Sequence, residues 1–224
     1  MKRAIEGDVQ VAPRFGEKTG LLARDELHAH DATYPPGNVT LGTPGALATD
    51  PDTAVTLDGL DKIFVPASLD FAPAASFSVE VWAKIAAGAP GLAFILDHED
   101  FSSTRGGWDL ILNGSGVIFE RWSTDGHVSV GTPAMTPGIW HHLVGTYSAS
   151  EASATFIERI WLDGALAQTG YGEGRIPAVA GGWSIGGQNC ECQAGYAGAL
   201  DELAVYDFVL SPGQISAHFR AANP

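Results

Sequence analysis

The sequence predicts an all-β fold, an antiparallel sandwich of two sheets that ends in one short C-terminal helix. Three observations carry this. Apolar and polar residues alternate over short runs, and helical periodicity is nearly absent. Gly, Pro, Asn and Asp interrupt those runs about every ten residues, as sandwich turns require. The chain has 28 Gly and 13 Pro among 224 residues, yet 45% of it is hydrophobic, so many turns coexist with a real core. The length suits one substantial domain, with no internal repeat and no internal boundary. Residues 1–12 are expected as an N-terminal arm and residues 13–224 as the sandwich.

The charge balance narrows the partners. Twenty-six acids stand against 12 bases, a formal net charge of −14. A nucleic-acid partner needs a basic surface for its phosphates, so none is expected. An anionic membrane surface is not expected, on the same ground. An acidic surface suits solubility, and it also suits calcium, which seeks oxygen ligands. The opening "MKRAIEGDVQ" has two early bases but no apolar run behind them, so it does not read as a secretory signal. No segment reaches the length of a membrane span, and no membrane insertion is expected. The expected settings are a virion, the exterior by a non-signal route, or otherwise the cytoplasm.

The elements follow in order. Up to about residue 50 the chain is a Pro-, Gly- and Thr-rich meander, in which "NVTL" and then "AVTLDG" carry strand residues. "FSVEVWAKI" places Phe77, Val79, Val81, Ala83 and Ile85 on one face and Ser78, Glu80, Trp82 and Lys84 on the other. "LAFIL", "WDLIL" and "GVIFERW" are the next strands, with "NGSG" at 113–116 as the hairpin turn between the last two. "DHED" at 97–100 reads as the start of a loop. "WHHLVGTYS", "TFIERIWLDG" and "ALAQTG" follow, and "LDG" at 162–164 is a tight turn. "GGWSIGG" is a short strand and "AGALDELAVYD" a long one. "SPGQISAHFRAA" is the helix, with Ser211 as N-cap, Pro212 at its first position and Gln214 completing a capping box. It is short and terminal, so it is expected on the rim of the sandwich.

The long last strand raises a problem. Period two puts Asp201 on one face with Leu203 and Val205, and Leu200, Glu202, Ala204 and Tyr206 on the other. A carboxylate facing a core is costly unless it is paired, hydrogen-bonded or bound to a metal. The "CEC" of Cys190 and Cys192 lacks the second pair that a zinc site needs. A local disulfide and two reduced thiols both remain open there.

Several phrases occur together in a familiar order: "RFGEKTGLLARDE", "NVTLGTPGALATDPDTAVTLDG", "FSVEVWAKI", "GIWHHLVGTYS", "IWLDGALA" and "AGALDELAVYDFVLSPGQISAHF". Over about residues 13–220 the chain resembles the laminin-G-like, concanavalin A-like jelly roll modules of bacteria and their phages. The resemblance implies a two-sheet antiparallel jelly roll with one concave sheet. It implies that Trp82 and Trp140 are structural. It also implies that Asp201 helps to hold a structural calcium ion, with Glu17, Asp25 and Asp58 as further candidate ligands. Calcium takes about six to eight oxygens, which a loop-rich N-terminal segment can help supply. The chain departs from the family where "LHAHD" replaces a Gly-containing turn after "ARDE". His28 and His30 there lack a clear third ligand, and solvated loop histidines are the simpler reading.

A second group of residues points to a ligand. Asp97, with Arg105 beyond it, lies in the expected loop, and rigid sandwiches bind through loops. Trp108 and Trp122 lie on hairpin-linked strands, with Arg121 beside them. Aromatic rings flanked by hydrogen-bonding groups suit sugars, although any one Trp is more often core. No glucanase-type Glu-x-Asp-x-x-Glu strand, nucleophile elbow or phosphate-binding loop is evident, so an enzyme is not expected. The expected function is a non-catalytic adhesion module for a glycan or cell-envelope surface. Its expected setting is a phage virion, as a minor tail or decoration protein beside other virion subunits. The alternatives are a purely structural virion protein without a sugar ligand and a glycan-active enzyme.

Overall fold

The computed structural model describes residues 9–27, 30–48, 50–66, 75–100, 106–123, 126–150, 153–174, 177, 179, 182–188 and 194–222. The strands are β1 (Val9–Val11), β2 (Leu22–Ala23), β3 (Ala32–Thr33), β4 (Val39–Pro44), β5 (Thr53–Asp58) and β6 (Ile63–Val65). Then come β7 (Phe77–Ile85), β8 (Leu92–Asp100), β9 (Gly106–Asn113), β10 (Gly116–Ser123) and β11 (Gly126–Gly131). The last are β12 (His141–Ser150), β13 (Thr155–Leu162), β14 (Ala165–Glu173), β15 (Trp183–Ile185) and β16 (Ala197–Tyr206), before helix α1 (Pro212–Ala222).

These strands form two antiparallel sheets, a jelly-roll sandwich. The first runs β14-β13-β12-β7-β16-β5-β4, with β1 also paired to β16, and the second runs β11-β10-β9-β8-β15-β6-β3-β2. Alternation sorts side chains between core and exterior as it did in the sequence. Phe77, Val79, Val81, Ala83 and Ile85 of β7 all enter the core, against Trp108, Leu110 and Leu112 of β9 and Val117 and Phe119 of β10. Edge strands β11 and β14 lie close together and shut one side of the sandwich. Gly172 permits this approach, since a Cβ there would come within 2.7 Å of Val128.

Local turn chemistry matches the sequence. Asn113 pairs with Gly116 across the β9–β10 turn. Asp163 (φ 52°) and Gly164 (φ 76°) make the β13–β14 turn, both in the left-handed region that a two-residue type I′ hairpin needs. Ser211 Oγ accepts from Gln214 N at 3.3 Å, and Ser211 N donates to Gln214 Oε1 at 2.9 Å, closing the capping box.

Three expectations are corrected. First, α1 packs on the outer face of the first sheet and not on the rim. Ile215 joins Val144, Trp161, Ala204, Tyr206 and Ala12 in a second apolar cluster, and Phe219 stacks on Trp82 at 5.9 Å. Glu80 anchors this layer. It shares hydrogen bonds with His142 (2.6 Å) and His218 (3.1 Å) and accepts from Tyr206 OH (2.8 Å). Second, "DHED" is not a loop, because β8 continues through Asp100. Third, Asp201 does not share a face with Leu203. A β-bulge between Asp201 and Ala204 inserts one residue opposite Trp82–Glu80, and Glu202 takes φ 48° there. The extra residue flips the parity. Leu200, Leu203 and Val205 therefore enter the core together, and Asp201 lies on the outer side.

Candidate functional site

α1 and Ala12 pack on part of the first sheet's outer face, and the second sheet's outer face carries the sequence-predicted Asp97 and Trp122. Register aligns one row across all eight of its strands. Leu22, Thr33 and Phe64 form one end, Ser184, Asp97 and Asp109 the middle, and Glu120 and Ser129 the other end. The neighbours of these residues along each strand, such as Ala23, Val65 and Trp183, point into the core. Leu22 and Phe64 are 43% and 42% exposed, whereas Asp97 and Asp109 are fully buried.

The middle of the row is acidic. Asp97, Glu99 and Asp109 bring carboxylate oxygens within 4.8 Å of one another, as a group that could hold a metal ion. Asp97 Oδ1 accepts from Glu99 N at 2.9 Å, which ties the first two acids together. At the β10–β11 margin, Trp122 pairs with His127 and Glu120 pairs with Ser129. The Trp122 and His127 rings stack at 4.5 Å with 22° between planes. Trp122 is half-buried and His127 exposed. A rigid strand pair therefore presents an aromatic stack beside a carboxylate and a hydroxyl.

The structure divides the sugar-binding residues expected from sequence. Asp97 and Trp122 are on the outer face described above. Trp108 and Arg121 are opposite each other on β9 and β10 but point inward, 1% and 0% exposed. They belong to the core, not to a ligand surface, because the two-residue turn after Asn113 puts them in register with Leu110, Leu112, Val117 and Phe119. Arg105 lies outside the described residues, as do His28, Cys190 and Cys192. Trp183 is core and stands against Trp108 at 6.1 Å. Trp82 is buried, as the resemblance implied, and Lys84 Nζ lies 4.6 Å over the Trp140 ring.

The expected calcium ligands do not converge. Asp201, 1% exposed, accepts from Ala46 N at 2.7 Å and from Glu202 N at 2.9 Å. Burial, with Glu202 and Asp52 nearby, pushes its carboxyl up to about 7. Asp25 accepts from Ala12 N (2.9 Å) and His30 N (3.1 Å), and Glu17 from Arg24 N and Tyr34 OH (both 2.8 Å). Asp58 closes its own turn through Leu60 N at 2.9 Å. Each of the four holds a different backbone segment, and they do not form a group of oxygens fit for one shared ion. The next residue of the bulge, Glu202, pairs with Arg14, a residue that sequence reasoning missed. Its guanidinium reaches Glu202 (2.7 Å), Asp50 (2.8 Å) and Asp52 (3.1 Å). Beside it lies an open cleft of about 610 Å³ that Glu17, Asp25, Asp50 and Asp52 help to line.

The two antiparallel sheets and their topology define a concanavalin A-like jelly roll. The chain belongs to the concanavalin A-like lectin/glucanases superfamily, whose laminin-G-type model matches residues 57–216. A curated relative from Rattus norvegicus, a sushi, von Willebrand factor type A, EGF and pentraxin domain-containing protein, is 26% identical over 119 residues, or 50% of this chain. The match spans only 3% of that relative's length. Among solved structures, domain 4 of an extracellular arabinanase from Geobacillus stearothermophilus, in complex with arabinotriose, is 15% identical with TM-score 0.66. It covers 97% of this chain and 99% of that one. The botulinum neurotoxin serotype D ligand-binding domain with N-acetylneuraminic acid is also 15% identical, with TM-score 0.64, covering 95% of this chain and 50% of that one. The binding domain of Paraclostridial mosquitocidal protein 1 is 12% identical with TM-score 0.70, covering 95% and 52%. At these identities the likeness is one of fold.

Proposed function

We propose that this chain is a non-catalytic binding module for carbohydrate, either free or displayed on a cell surface, and that the β10–β11 margin of the second sheet is where the sugar docks. One observation carries the reading: the Trp122–His127 stack, with Glu120 and Ser129 beside it, on the sheet face that α1 leaves uncovered. The apolar side of a pyranose stacks on an aromatic ring, and its hydroxyls pair with carboxylate and hydroxyl groups. The arabinotriose and N-acetylneuraminic acid complexes of similarly folded domains support the ligand class. Retention of the purified chain on bacterial envelopes and a panel of insoluble polysaccharides tests this. Retention on one material names the ligand class. Failure on all of them favours a purely structural protein.

A second reading is a glycan-active enzyme, and the cluster of Asp97, Glu99 and Asp109 is the observation that favours it. Release of reducing ends from a retained polysaccharide, abolished in Asp97→Asn and Asp109→Asn, would replace the binding reading with this one.

A further inference from the structure

One end of the sandwich interior is polar. On the second sheet, register places Trp108, Arg121 and Val128 in one inward row across β9, β10 and β11. On the first sheet, Phe77, Tyr147, Glu158 and Gly170 form the corresponding row across β7, β12, β13 and β14. Arg121 and Glu158 are both fully buried. The Arg121 guanidinium reaches across to the first sheet, 4.0 Å from the centre of the Tyr147 ring and 4.5 Å from that of Phe156. Close by, Ser123 Oγ of β10 donates to Glu173 O of β14 at 3.3 Å and joins the two sheets.

The rings do not meet the guanidinium's need for acceptors. Nε, Nη1 and Nη2 of Arg121 and both Glu158 oxygens find no hydrogen-bonding partner among the described residues. Buried polar groups are nearly always paired, so a whole guanidinium without an acceptor calls for one. Arg121 and Glu158 act on one another's charge, yet no hydrogen bond joins them. A separation longer than a hydrogen bond but within reach of charge is what one bridging species spans. An ionised carboxylate would close on the arginine as a two-pronged pair, and Glu158 does not. It is the neutral member, in keeping with a carboxyl that burial pushes up to about 9. The groups at hand are therefore donors, the guanidinium N–H groups and the Glu158 O–H. A water molecule accepts few of these and leaves the positive charge unbalanced. A monovalent anion accepts them and balances it.

We propose that Arg121 and Glu158 form a small-anion site between the two sheets, in which the guanidinium and the acid's O–H together hold one halide ion. The walls set the size. Gly170 pairs with Glu158, and a Cβ on Gly170 would come within 2.8 Å of Val130 and 2.9 Å of Val128. Sheets this close favour a halide over sulfate or phosphate, and a divalent oxyanion would also cost far more to strip of water. The site is separate from the sugar face, because Trp122 follows Arg121 on β10 and points to the other side of the sheet. A halide held here fastens β10, the strand that carries the aromatic stack, to β13 of the facing sheet.

The test compares melting in sodium chloride and in sodium gluconate at equal ionic strength, since gluconate is too large to enter. Saturating chloride should raise the melting temperature of wild type by roughly 3–8 °C over gluconate. R121M, which loses the guanidinium, should melt alike in the two salts. Crystals of wild type in sodium bromide give a second measurement that needs no variant to fold. Anomalous scattering should place a bromide between the Arg121 guanidinium and the Glu158 carboxyl. Equal melting of wild type in chloride and gluconate overturns the proposal, and so does a chloride response that survives in R121M. Bromide crystals with only water between the two residues overturn it as well.

Discussion

Arg121 and Glu158 face one another from opposite sheets inside the sandwich, both fully buried, and neither makes a hydrogen bond among the described residues. The guanidinium lies instead 4.0 Å over the Tyr147 ring and 4.5 Å over Phe156. Cation–π contact offsets part of the cost of burying that charge, while among the described residues the acid makes no hydrogen bond and has the pull of Arg121 alone. Burial pushes Glu158 up to about 9, against the smaller pull of Arg121, and lowers Arg121 to about 10. At neutral pH the core therefore holds a charged arginine beside a protonated glutamic acid.

The first prediction concerns Glu158. The folded chain keeps this proton above the unfolded value of 4.5, so stability falls as pH rises from there through about 9. The slope approaches roughly 1.4 kcal/mol per pH unit. Glu158→Gln, nearly the same shape without the titration, should remove that slope and melt higher than wild type at alkaline pH. Urea unfolding above neutral pH checks it. Parallel slopes in the two proteins would mean that Glu158 is ionised and paired.

Asp201 gives a second titration in a lower window. Its carboxyl stands at about 7 against an ordinary 3.8, so the stability it contributes is full in acid and is lost as pH rises toward 7. An Asn there accepts only one of the two N–H groups that Asp201 now satisfies. Asp201→Asn should therefore cost about 1 kcal/mol in acid, and the difference from wild type should shrink toward neutral pH. Urea midpoints measured across that window report it. A gap that widens with pH would place an ionised Asp201 in the native state.

Glu80 is the anchor of α1. Its carboxylate is fully buried and bonded to His142 and Tyr206 of the sheet and to His218 of the helix. Glu80→Ala leaves these partners uncompensated and should cost about 3–5 kcal/mol. His218→Ala removes only the helix's own link, which is partly exposed, and should cost about 1 kcal/mol. Hydrogen exchange should show α1 amides losing protection in both variants, with β7 keeping its protection in His218→Ala. Unchanged exchange in α1 would show that the apolar cluster around Ile215 docks the helix alone.

Much of this fold was legible because its signals are local. The alternation of β7, the Asp163–Gly164 turn and the Ser211 cap each depend on a few adjacent residues, and each appears where the sequence placed it. Period-two reading failed at Asp201 because it assumes an unbroken strand, although the three-residue step from Leu200 to Leu203 was a bulge signal. Trp108 and Arg121 were also readable. The hairpin turn fixes their pairing, and the apolar residues two away on either strand mark that face as core. "DHED" reads as a loop because its acids end the apolar run, yet acids suit a strand whose outer face is not core. Arg14 gave no such signal. Its partners lie 36 to 188 residues away in sequence, and only the folded chain brings them together.

The last prediction tests the sugar face. Trp122 and His127 stack on the outer side of β10 and β11, whereas Trp108 fills the core from β9. Trp122→Ala should therefore weaken retention on the bound polysaccharide at least about tenfold, as the loss of an aromatic anchor does. Its melting temperature should fall far less than that of Trp108→Ala, which empties a fully packed site at a cost of about 3–5 kcal/mol. Tyr171→Ala serves as the control, since Tyr171 is 74% exposed on β14 of the other sheet. Equal loss of retention in Trp122→Ala and Tyr171→Ala would mean that surface aromatics bind without a defined site. Full retention in Trp122→Ala would move the sugar to the opposite end of the row, where Leu22 and Phe64 are exposed, and Phe64→Ala would then be the variant that releases it.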